Sequence, residues 1–488
     1  MILASIFVCF CLVSAFNYLR QRRQRGFIKN LGGPFTWPLM GAMHKIVLLS
    51  PKNFFERSSV YLAKYGAVSR IWVFHRLFIP VADLELAKQL LQSETHLETG
   101  HELMSDWLGD SLLTCQSQHW PPRHQILASL SRPDNLLQLS QLFQQQAEQL
   151  CQQLAARAEA RQLFDVWQLV SDNVLDLMLC ISCGMQPSEH YKQAFKELTE
   201  LYRKRFLSVR SANRLTFWVC SPLTRRRQQR LIRRINEENK QMLEQRRQHK
   251  LSSNQIKIEG ITIDRIEPVP RVKYQSLLEL LLTSEASLTD AQLLAELNCC
   301  SFLGYLLCSS ALCSALVLIA RHPAVQQRCL DELREAKDSK EERLPYLEAV
   351  LKETLRLQPP QVIVNRELSQ DFEYTHSQLG AGSLPAGTEI YMNLYELQRA
   401  EQAYGTKAQH FQPERFLEQP VELLSFGLGP RSCPAQQMSL SLLQQLVAPL
   451  LLQYELLPYG DALRPQLCLA LGSSNGFQLA LQPRKKID

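Results

Sequence analysis

An eight-residue loop near the carboxy terminus places the strongest constraint on what this chain can fold into. Residues 426–433 follow the pattern F-x-x-G-x-R-x-C, in which Phe426, Gly429, Arg431 and Cys433 hold the defined positions. Glycine lets a backbone bend sharply and approach a flat molecule closely. A cysteine beside an arginine and before a helical run is expected to ionise readily to a thiolate. A cysteine alone is explained by an ordinary turn, whereas the complete pattern favours a binding loop.

Two further motifs precede this loop. Glu353 and Arg356 form an E-x-x-R pair, and two residues spaced three apart are neighbours on one helical face. Residues 411–416 read Phe-Gln-Pro-Glu-Arg-Phe and contain Arg415. An E-x-x-R pair alone is expected by chance about once in a chain of this length, and only the ordered set is specific.

A thiolate in such a loop is a suitable axial ligand for haem iron, and the whole set resembles the cytochrome P-450 family. The resemblance covers nearly everything from Gly32 onward. Residues 107–114 and Trp120 are similar to the segment before the haem-facing helix in family four, which includes fatty-acid ω-hydroxylases and many insect enzymes. The resemblance implies a mainly α fold with small β-sheets, in one large haem-thiolate domain over residues 39–488.

Hydrophobic periodicity supports a mainly helical chain independently. It predicts helices over residues 136–161, 173–184, 224–250, 289–320 and 436–452. Strand-like runs lie at residues 68–79, 372–374, 389–392 and 476–481, and residues 251–280 are predicted to be an irregular connection.

The resemblance also implies the roles of individual residues. Cys433 would be the axial thiolate of a haem b that is otherwise held non-covalently, with Ala435 where the family usually has glycine. Glu353, Arg356 and Arg415 would form a buried ion network. The residues expected to contact the haem or its propionates are Phe426, Gly429, Gly304, Trp120, Arg366 and Arg431. The arginine of the family's W-x-x-x-R motif is His124 here, with Arg123 one residue earlier, and either could be the propionate donor.

The helix that would lie over the haem departs from the family. Aligning residues 288–290, Leu-Thr-Asp, with the family-four pattern places Leu303 on the glutamate that many members esterify to haem. The acid and alcohol that help to deliver protons to dioxygen fall on Leu306 and Leu307, neither of which can donate a proton. We therefore expect no covalent haem link through this helix.

Three functions are consistent with this departure. The first is a monooxygenase of a lipophilic molecule (a fatty acid, hormone-like lipid or xenobiotic), which receives electrons from an NADPH-cytochrome reductase, with cytochrome b5 as an optional second donor. The second is an isomerase or dehydratase that acts on a lipid hydroperoxide. The third is a haem- or lipid-binding protein with little turnover. The intact thiolate loop favours the first.

The amino terminus indicates a membrane anchor. Residues 2–19 are almost wholly apolar and long enough to span a bilayer. Five Lys or Arg and no acid follow in residues 20–29, an order that argues against a cleaved signal peptide and for a domain on the cytoplasmic side. We expect an anchor over residues 1–19, a basic and Pro/Gly-containing hinge over residues 20–38, and location in the endoplasmic reticulum membrane.

The remaining composition is consistent with this prediction. The fourteen cysteines lie within apolar helical patterns, which suits a reducing compartment, and the Cys180-x-x-Cys183 pair is predicted to pack in the core. The net charge of +7 comes from residues 20–29 and from residues 203–250, where fifteen Lys or Arg face three Glu. No nucleic-acid motif accompanies that basic stretch. It is either a solvated helix face or a contact with anionic lipid.

Overall fold

The computed structural model describes residues 2–93, 96–98, 102–115, 119–206, 214–259, 274–285, 288–339, 343–418 and 421–484. Within them the fold is mainly helical. The helices are α1 (Ile2–Phe27), α2 (Met43–Ile46), α3 (Phe54–Tyr65), α4 (Leu84–Gln92), α5 (Ser105–Leu108), α6 (Trp120–Ala128), α7 (Pro133–Ala160), α8 (Trp167–Cys183), α9 (Glu189–Phe206), α10 (Arg214–Cys220), α11 (Pro222–Glu259), α12 (Leu277–Thr283), α13 (Asp290–Arg321), α14 (Pro323–Ser339), α15 (Pro345–Leu357), α16 (Leu394–Leu397), α17 (Glu401–Tyr404), α18 (Arg415–Glu418) and α19 (Gln436–Gln453).

Small sheets lie at the margins of the helical core. The strands are β1 (Ile71–Val73), β2 (Arg76–Val81), β3 (His96–Glu98), β4 (Phe164–Asp165), β5 (Ile363–Leu368), β6 (Phe372–His376), β7 (Gly380–Leu384), β8 (Glu389–Asn393), β9 (Tyr454–Leu457), β10 (Pro465–Gln466), β11 (Gly472–Ser473) and β12 (Gln478–Pro483). The largest sheet has the order β1-β2-β8-β5-β3, with β2 and β8 parallel and the other pairs antiparallel. A second sheet, β4-β12-β9, joins the middle of the chain to its carboxy-terminal end.

The periodicity located the long helices correctly, and the predicted strands match β1 and β2, β6, β8 and β12. The prediction of an irregular connection over residues 251–280 is partly wrong, because α11 extends to Glu259 and α12 begins at Leu277. Residues 260–273 of that stretch lie outside the described residues. Continuous helical propensity through the polar sequence of α11 explains the extension, since a polar composition alone does not stop a helix.

The centre of the molecule is α13, a helix of 32 residues that packs against α8, α15 and α19. Its start is fixed by a capping box, in which the Thr289 hydroxyl accepts from the Gln292 N–H and the Gln292 side chain accepts from the Thr289 N–H. By length and composition, α13 is also apolar enough to cross a membrane. Since 78% of that apolar window is buried inside the protein, α13 is a core helix. Cys180 and Cys183 of α8 are likewise buried in the core.

The basic segment after the apolar amino terminus is helical as far as Phe27. The Arg23 guanidinium lies 2.6 Å from Asp371, and Arg25 lies 5.0 Å from the Trp72 ring centroid. These contacts join the end of α1 to the margin of the large sheet.

Candidate functional site

The cysteine loop, residues 426–433, consists of two tight turns that end in a hydrogen bond across its base. Gly427 has a φ of +71°, a conformation that favours glycine and lets the chain reverse after Phe426. The Cys433 N–H then donates to the Phe426 carbonyl at 2.7 Å. The Ala435 N–H donates to the Cys433 sulfur at the start of α19. The backbone therefore holds the Cys433 side chain in one place.

Gly429 packs against the end of α4. Its φ is +68°, and a Cβ there would lie 2.6 Å from the Leu91 carbonyl oxygen and 2.8 Å from the Gln92 Cα. The absence of a side chain thus allows the loop to pack against the end of α4. Gly429 supports the shape of the loop from outside.

The expected ease of ionisation of Cys433 is also not found. Burial raises the pKa of the Cys433 thiol, and the hydrogen bond from the Ala435 N–H offsets only part of that effect. The Arg431 guanidinium lies over the Trp120 ring, 4.9 Å from the centroid. A buried thiol of this kind loses its proton when a metal ion binds the sulfur.

A stack of polar aromatic groups flanks the cysteine loop. The rings of Trp120 and His124, one turn apart on α6, lie 4.2 Å apart and nearly parallel. His124 Nε2 donates to the Ser432 carbonyl oxygen at 3.2 Å. Burial lowers the pKa of His124, so the imidazole is neutral at pH 7 and its only proton is engaged. His124 therefore ties α6 to the loop.

Arg123, the neighbour of His124 on α6, lies between two carboxylates. Its guanidinium is 2% exposed and lies 2.8 Å from an Asp110 carboxylate oxygen and 3.3 Å from one of Glu296. It also donates to the Asp110 carbonyl at 2.6 Å. The sequence left Arg123 and His124 open as alternatives for the propionate donor. In the structure His124 contacts the Ser432 carbonyl, and Arg123 contacts Asp110 and Glu296.

Glu353, Arg356 and Arg415 lie together as the motifs suggested. Arg356 Nε and one terminal guanidinium nitrogen of Arg356 each lie 2.7 Å from a Glu353 carboxylate oxygen, and both side chains are fully buried. Arg415 Nε lies 3.5 Å from the same carboxylate. Arg356 also donates to the carbonyls of Gln398 and Ala408 at 2.6 and 2.7 Å. This network joins α15 to α18 and to the segment before the cysteine loop.

One face of α13 stays partly exposed near its middle. Cys300, Leu303 and Leu307 follow a helical repeat with Gly304 between them, and all four are partly exposed, although most of the surrounding helix is buried. Cys300 lies close enough to Cys433 for the two thiols to interact electrostatically. We call Cys300, Leu303 and Leu307 the open face of α13. Leu306 is buried instead, in an apolar cluster with Trp107 and Phe302.

Gly304 lies against Met178 of α8. A Cβ at Gly304 would lie 2.2 Å from Met178 Cε and 2.8 Å from Met178 Sδ. The glycine therefore lets α13 pack closely against α8.

Sequence reasoning missed a buried acid in this region. Glu296 is fully buried on α13, one turn before Cys300, where it accepts from the Leu112 N–H at 3.1 Å and pairs with Arg123. Burial raises the pKa of Glu296 to about 7, although Arg123 opposes the shift. The available signal was a single carboxylate in an otherwise apolar helical stretch, which requires a partner if it is buried.

Comparison with known proteins agrees with this geometry. The family model described as Cytochrome P-450 matches residues 31–479. The chain is 56% identical to the probable cytochrome P-450 316a1 of Drosophila melanogaster, over 99% of this chain and 100% of that protein. It is 32% identical to cytochrome P-450 4d8 of the same organism, over 91% of this chain and 100% of the relative. The extent of these matches shows that the chain belongs to the cytochrome P-450 family.

Proposed function

We propose that this protein is a haem-thiolate monooxygenase that oxidises a lipophilic small molecule with dioxygen. Its electrons would come from a separate NADPH-dependent reductase, with cytochrome b5 as a second donor. The observation that carries the proposal is the position of Cys433, held by backbone hydrogen bonds close to the open face of α13. Family membership supports the same chemistry.

The residues around this space fit a haem. Cys433 supplies a soft sulfur ligand, and the Ala435 N–H reduces the electron density on that sulfur. Arg431, stacked on Trp120, supplies a cation beside the loop, and Arg366 lies on β5 of the large sheet. Both are suitable donors for propionates. Ala435, where the family usually has glycine, adds one methyl group and is itself half-buried.

When bound, the haem supplies the iron centre at which dioxygen is reduced and its O–O bond is broken. The protein contributes a dry environment, since Leu303 and Leu307 of the open face carry no polar group. Leu303 also excludes the ester link that a glutamate would form. The proposed haem is therefore held by the Cys433 bond and by non-covalent contacts.

Proton supply to dioxygen is the step in which this chain departs from the family-four pattern. Leu306 is buried within the apolar cluster and Leu307 lies on the open face, so neither position offers a donor. Loss of a positioned donor typically costs about two to four decades in rate. We infer that protons arrive through water or through a polar group of the substrate, with part of the reducing equivalents lost.

We further propose that the protein works at the endoplasmic reticulum membrane, with the haem domain on the cytoplasmic side. The apolar residues 2–19 would form the anchor, and the basic residues 20–29 would remain in the cytoplasm. Trp218, Val219 and Leu223 are exposed at the junction of α10 and α11, beside basic residues of α11. Such a surface suits contact with anionic lipid.

Two measurements test the monooxygenase function. Reduced protein under carbon monoxide should show the red-shifted Soret band of thiolate-ligated haem, and Cys433→Ser should abolish that band. Cys220→Ser, which changes an exposed thiol, is the matched control and should retain it. With NADPH and the reductase, labelled dioxygen should label the product. Turnover only with a lipid hydroperoxide, without NADPH, would contradict the proposal and identify an isomerase or dehydratase.

A further inference from the structure

A cavity lies between α1 and two turns of the chain, residues 36–41 and 72–74, beside the large sheet. Its volume is about 310 Å³, and one water molecule takes up about 30 Å³ in the liquid. On the α1 side it is lined by Ser14, Tyr18, Gln21 and Arg25, which follow the spacing of one helical face. At about 1.5 Å per residue these positions extend about 16 Å along the helix axis. We call this space the anchor cavity.

The opposite wall of the anchor cavity is made of tight turns. Trp37 and Gly41 exchange two backbone hydrogen bonds of 2.9 Å. Leu39 and Phe74 line the cavity with φ of +60° and +52°, in the left-handed region that residues other than glycine rarely adopt. Of the other non-glycine residues that the structure describes, Arg161 at the end of α7 shares such a φ. Strained backbone of this kind is concentrated at ligand-binding sites.

Arg25 brings a cation to this cavity, and among the described residues no carboxylate lies within ion-pair distance of it. One terminal nitrogen donates to the Gln21 amide oxygen at 2.8 Å, whereas the buried Nε has no hydrogen-bond partner. The guanidinium lies over the rings of Tyr18 and Trp72, 5.1 and 5.0 Å from their centroids. Burial lowers the pKa of Arg25, and the Arg70 cation acts in the same direction. An anion in the cavity would offset both effects.

The anchor cavity crosses the expected boundary of the bilayer. Ser14 and Tyr18 belong to the apolar anchor, whereas Arg25 belongs to the basic segment that follows it. At the rim, Trp37 is 56% exposed and Phe74 is 51% exposed. Trp and Tyr side chains are typical of the head-group level of a membrane. The Ser14 hydroxyl, at the end of the cavity within the anchor, is buried without a hydrogen-bond partner and can donate to an ester carbonyl.

We propose that the anchor cavity binds one phospholipid of the bilayer, with the head-group phosphate at Arg25 and the glycerol esters directed toward Ser14. Two neighbouring cations, Arg25 and Arg70, favour a head group with a net negative charge over phosphatidylcholine. A lipid bound in this way joins α1 to the turns beside the large sheet and so fixes the haem domain relative to its anchor. The proposal rests on the membrane anchor proposed above and not on catalysis, and this site is separate from the surface at α10 and α11.

Native mass spectrometry of the full-length holoprotein counts the lipids that it retains. The protein is released from dodecyl maltoside micelles that contain dioleoyl phosphatidylglycerol or dioleoyl phosphatidylcholine, which share acyl chains and differ in head-group charge. The wild type should bind its first phosphatidylglycerol about tenfold more tightly than phosphatidylcholine, because choline would place another cation beside Arg25. Equal affinities would overturn the proposal.

The variant Arg25→Gln should weaken binding of the first phosphatidylglycerol about tenfold, as expected for loss of a charge-assisted hydrogen bond. Arg22→Gln is the matched control, because Arg22 is exposed on the same helix and lies outside the cavity lining. It should bind phosphatidylglycerol like the wild type. Equal losses in both variants would show that net charge alone attracts the lipid, and unchanged affinity in Arg25→Gln would show that Arg25 takes no part; either result rejects the site.

Two further arms keep the test decisive. If Arg25→Gln does not fold, Trp37→Ala removes an exposed side chain from the same cavity and should also weaken phosphatidylglycerol binding, so that unchanged affinity would contradict the proposal. Inorganic phosphate should not displace the lipid, and displacement would assign Arg25 to a soluble phosphate instead. Extraction of the wild type from membranes with alkaline carbonate tests the anchor separately. Release by carbonate, with Arg25-dependent lipid binding intact in micelles, would refute the anchor and retain the lipid site.

Discussion

The buried pair of Glu353 and Arg356 has an exposed counterpart on the same helix, which allows its contribution to stability to be isolated. In α15, Glu348 and Lys352 also form an ion pair, with N–O distance 2.6 Å, but their side chains are 45% and 31% exposed. Glu353 and Arg356 are fully buried. The substitutions Glu353→Gln and Glu348→Gln therefore remove the same charge from the same helix in two different environments.

The expected free-energy changes differ about tenfold. Glu348→Gln should cost about 0.3–0.5 kcal/mol, as for other exposed helical pairs. Glu353→Gln leaves the Arg356 cation buried beside Arg415, with mainly carbonyl oxygens as partners, and should cost about 3–5 kcal/mol. The Gln412 N–H, which donates to Glu353 at 2.9 Å, keeps an acceptor in the amide. The loss is thus mainly that of a charge.

Thermal unfolding followed by circular dichroism measures the difference. An unfolding entropy of about 2.1 cal/mol/K per residue gives about 1 kcal/mol/K for 488 residues. Glu353→Gln should then lower the melting temperature by about 3–5 °C, and Glu348→Gln by about half a degree or less. Equal shifts for both variants would refute the argument that burial makes the network important.

Other substitutions test α13, the helix that would lie over the haem. Leu306→Asp with Leu307→Thr should raise the fraction of NADPH consumption that yields product, and an unchanged ratio would show that proton supply does not limit coupling. Gly304→Ala should destabilise the protein by about 1–3 kcal/mol through its contact with Met178, and Met178→Ala in the same chain should recover part of that loss. Because burial raises the pKa of Glu296 from 4.5 to about 7, the folded state binds the extra proton between those values. The contribution of Glu296 to the free energy of unfolding should therefore fall by about 3 kcal/mol as pH rises from 4.5 to 7. The stability difference between wild type and Glu296→Gln, measured against pH, checks this and should be flat above pH 8.

Local spacing accounts for what could be predicted. The Glu353 and Arg356 contact follows from helical geometry, and the turn before Cys433 follows from its glycine. The leucines of α13 were recognised as unable to donate protons because that property belongs to the residue itself. Predictions that depend only on residue type and short spacing need no knowledge of packing.

The other site predictions depended on neighbours that lie far away in sequence. Gly429 and Gly304 lie against Leu91 and Met178, contacts that spacing does not reveal. His124 Nε2 forms a hydrogen bond with the Ser432 carbonyl oxygen, 308 residues away in the sequence. The pKa of Cys433 depends on burial, which outweighs the adjacent arginine. Such outcomes are fixed by tertiary packing.

The pairing of β4 with β12 has a consequence for synthesis of the chain. The Val166 N–H at the start of α8 donates to the Phe477 carbonyl, and Asp165 accepts from the Phe477 N–H, 312 residues later. At about 5–20 residues per second, the ribosome needs roughly 15–60 s to cover that interval. During this time the first turn of α8 has emerged without its final partner. Correct folding of this protein therefore depends on how well that early segment is protected from aggregation until translation is almost complete.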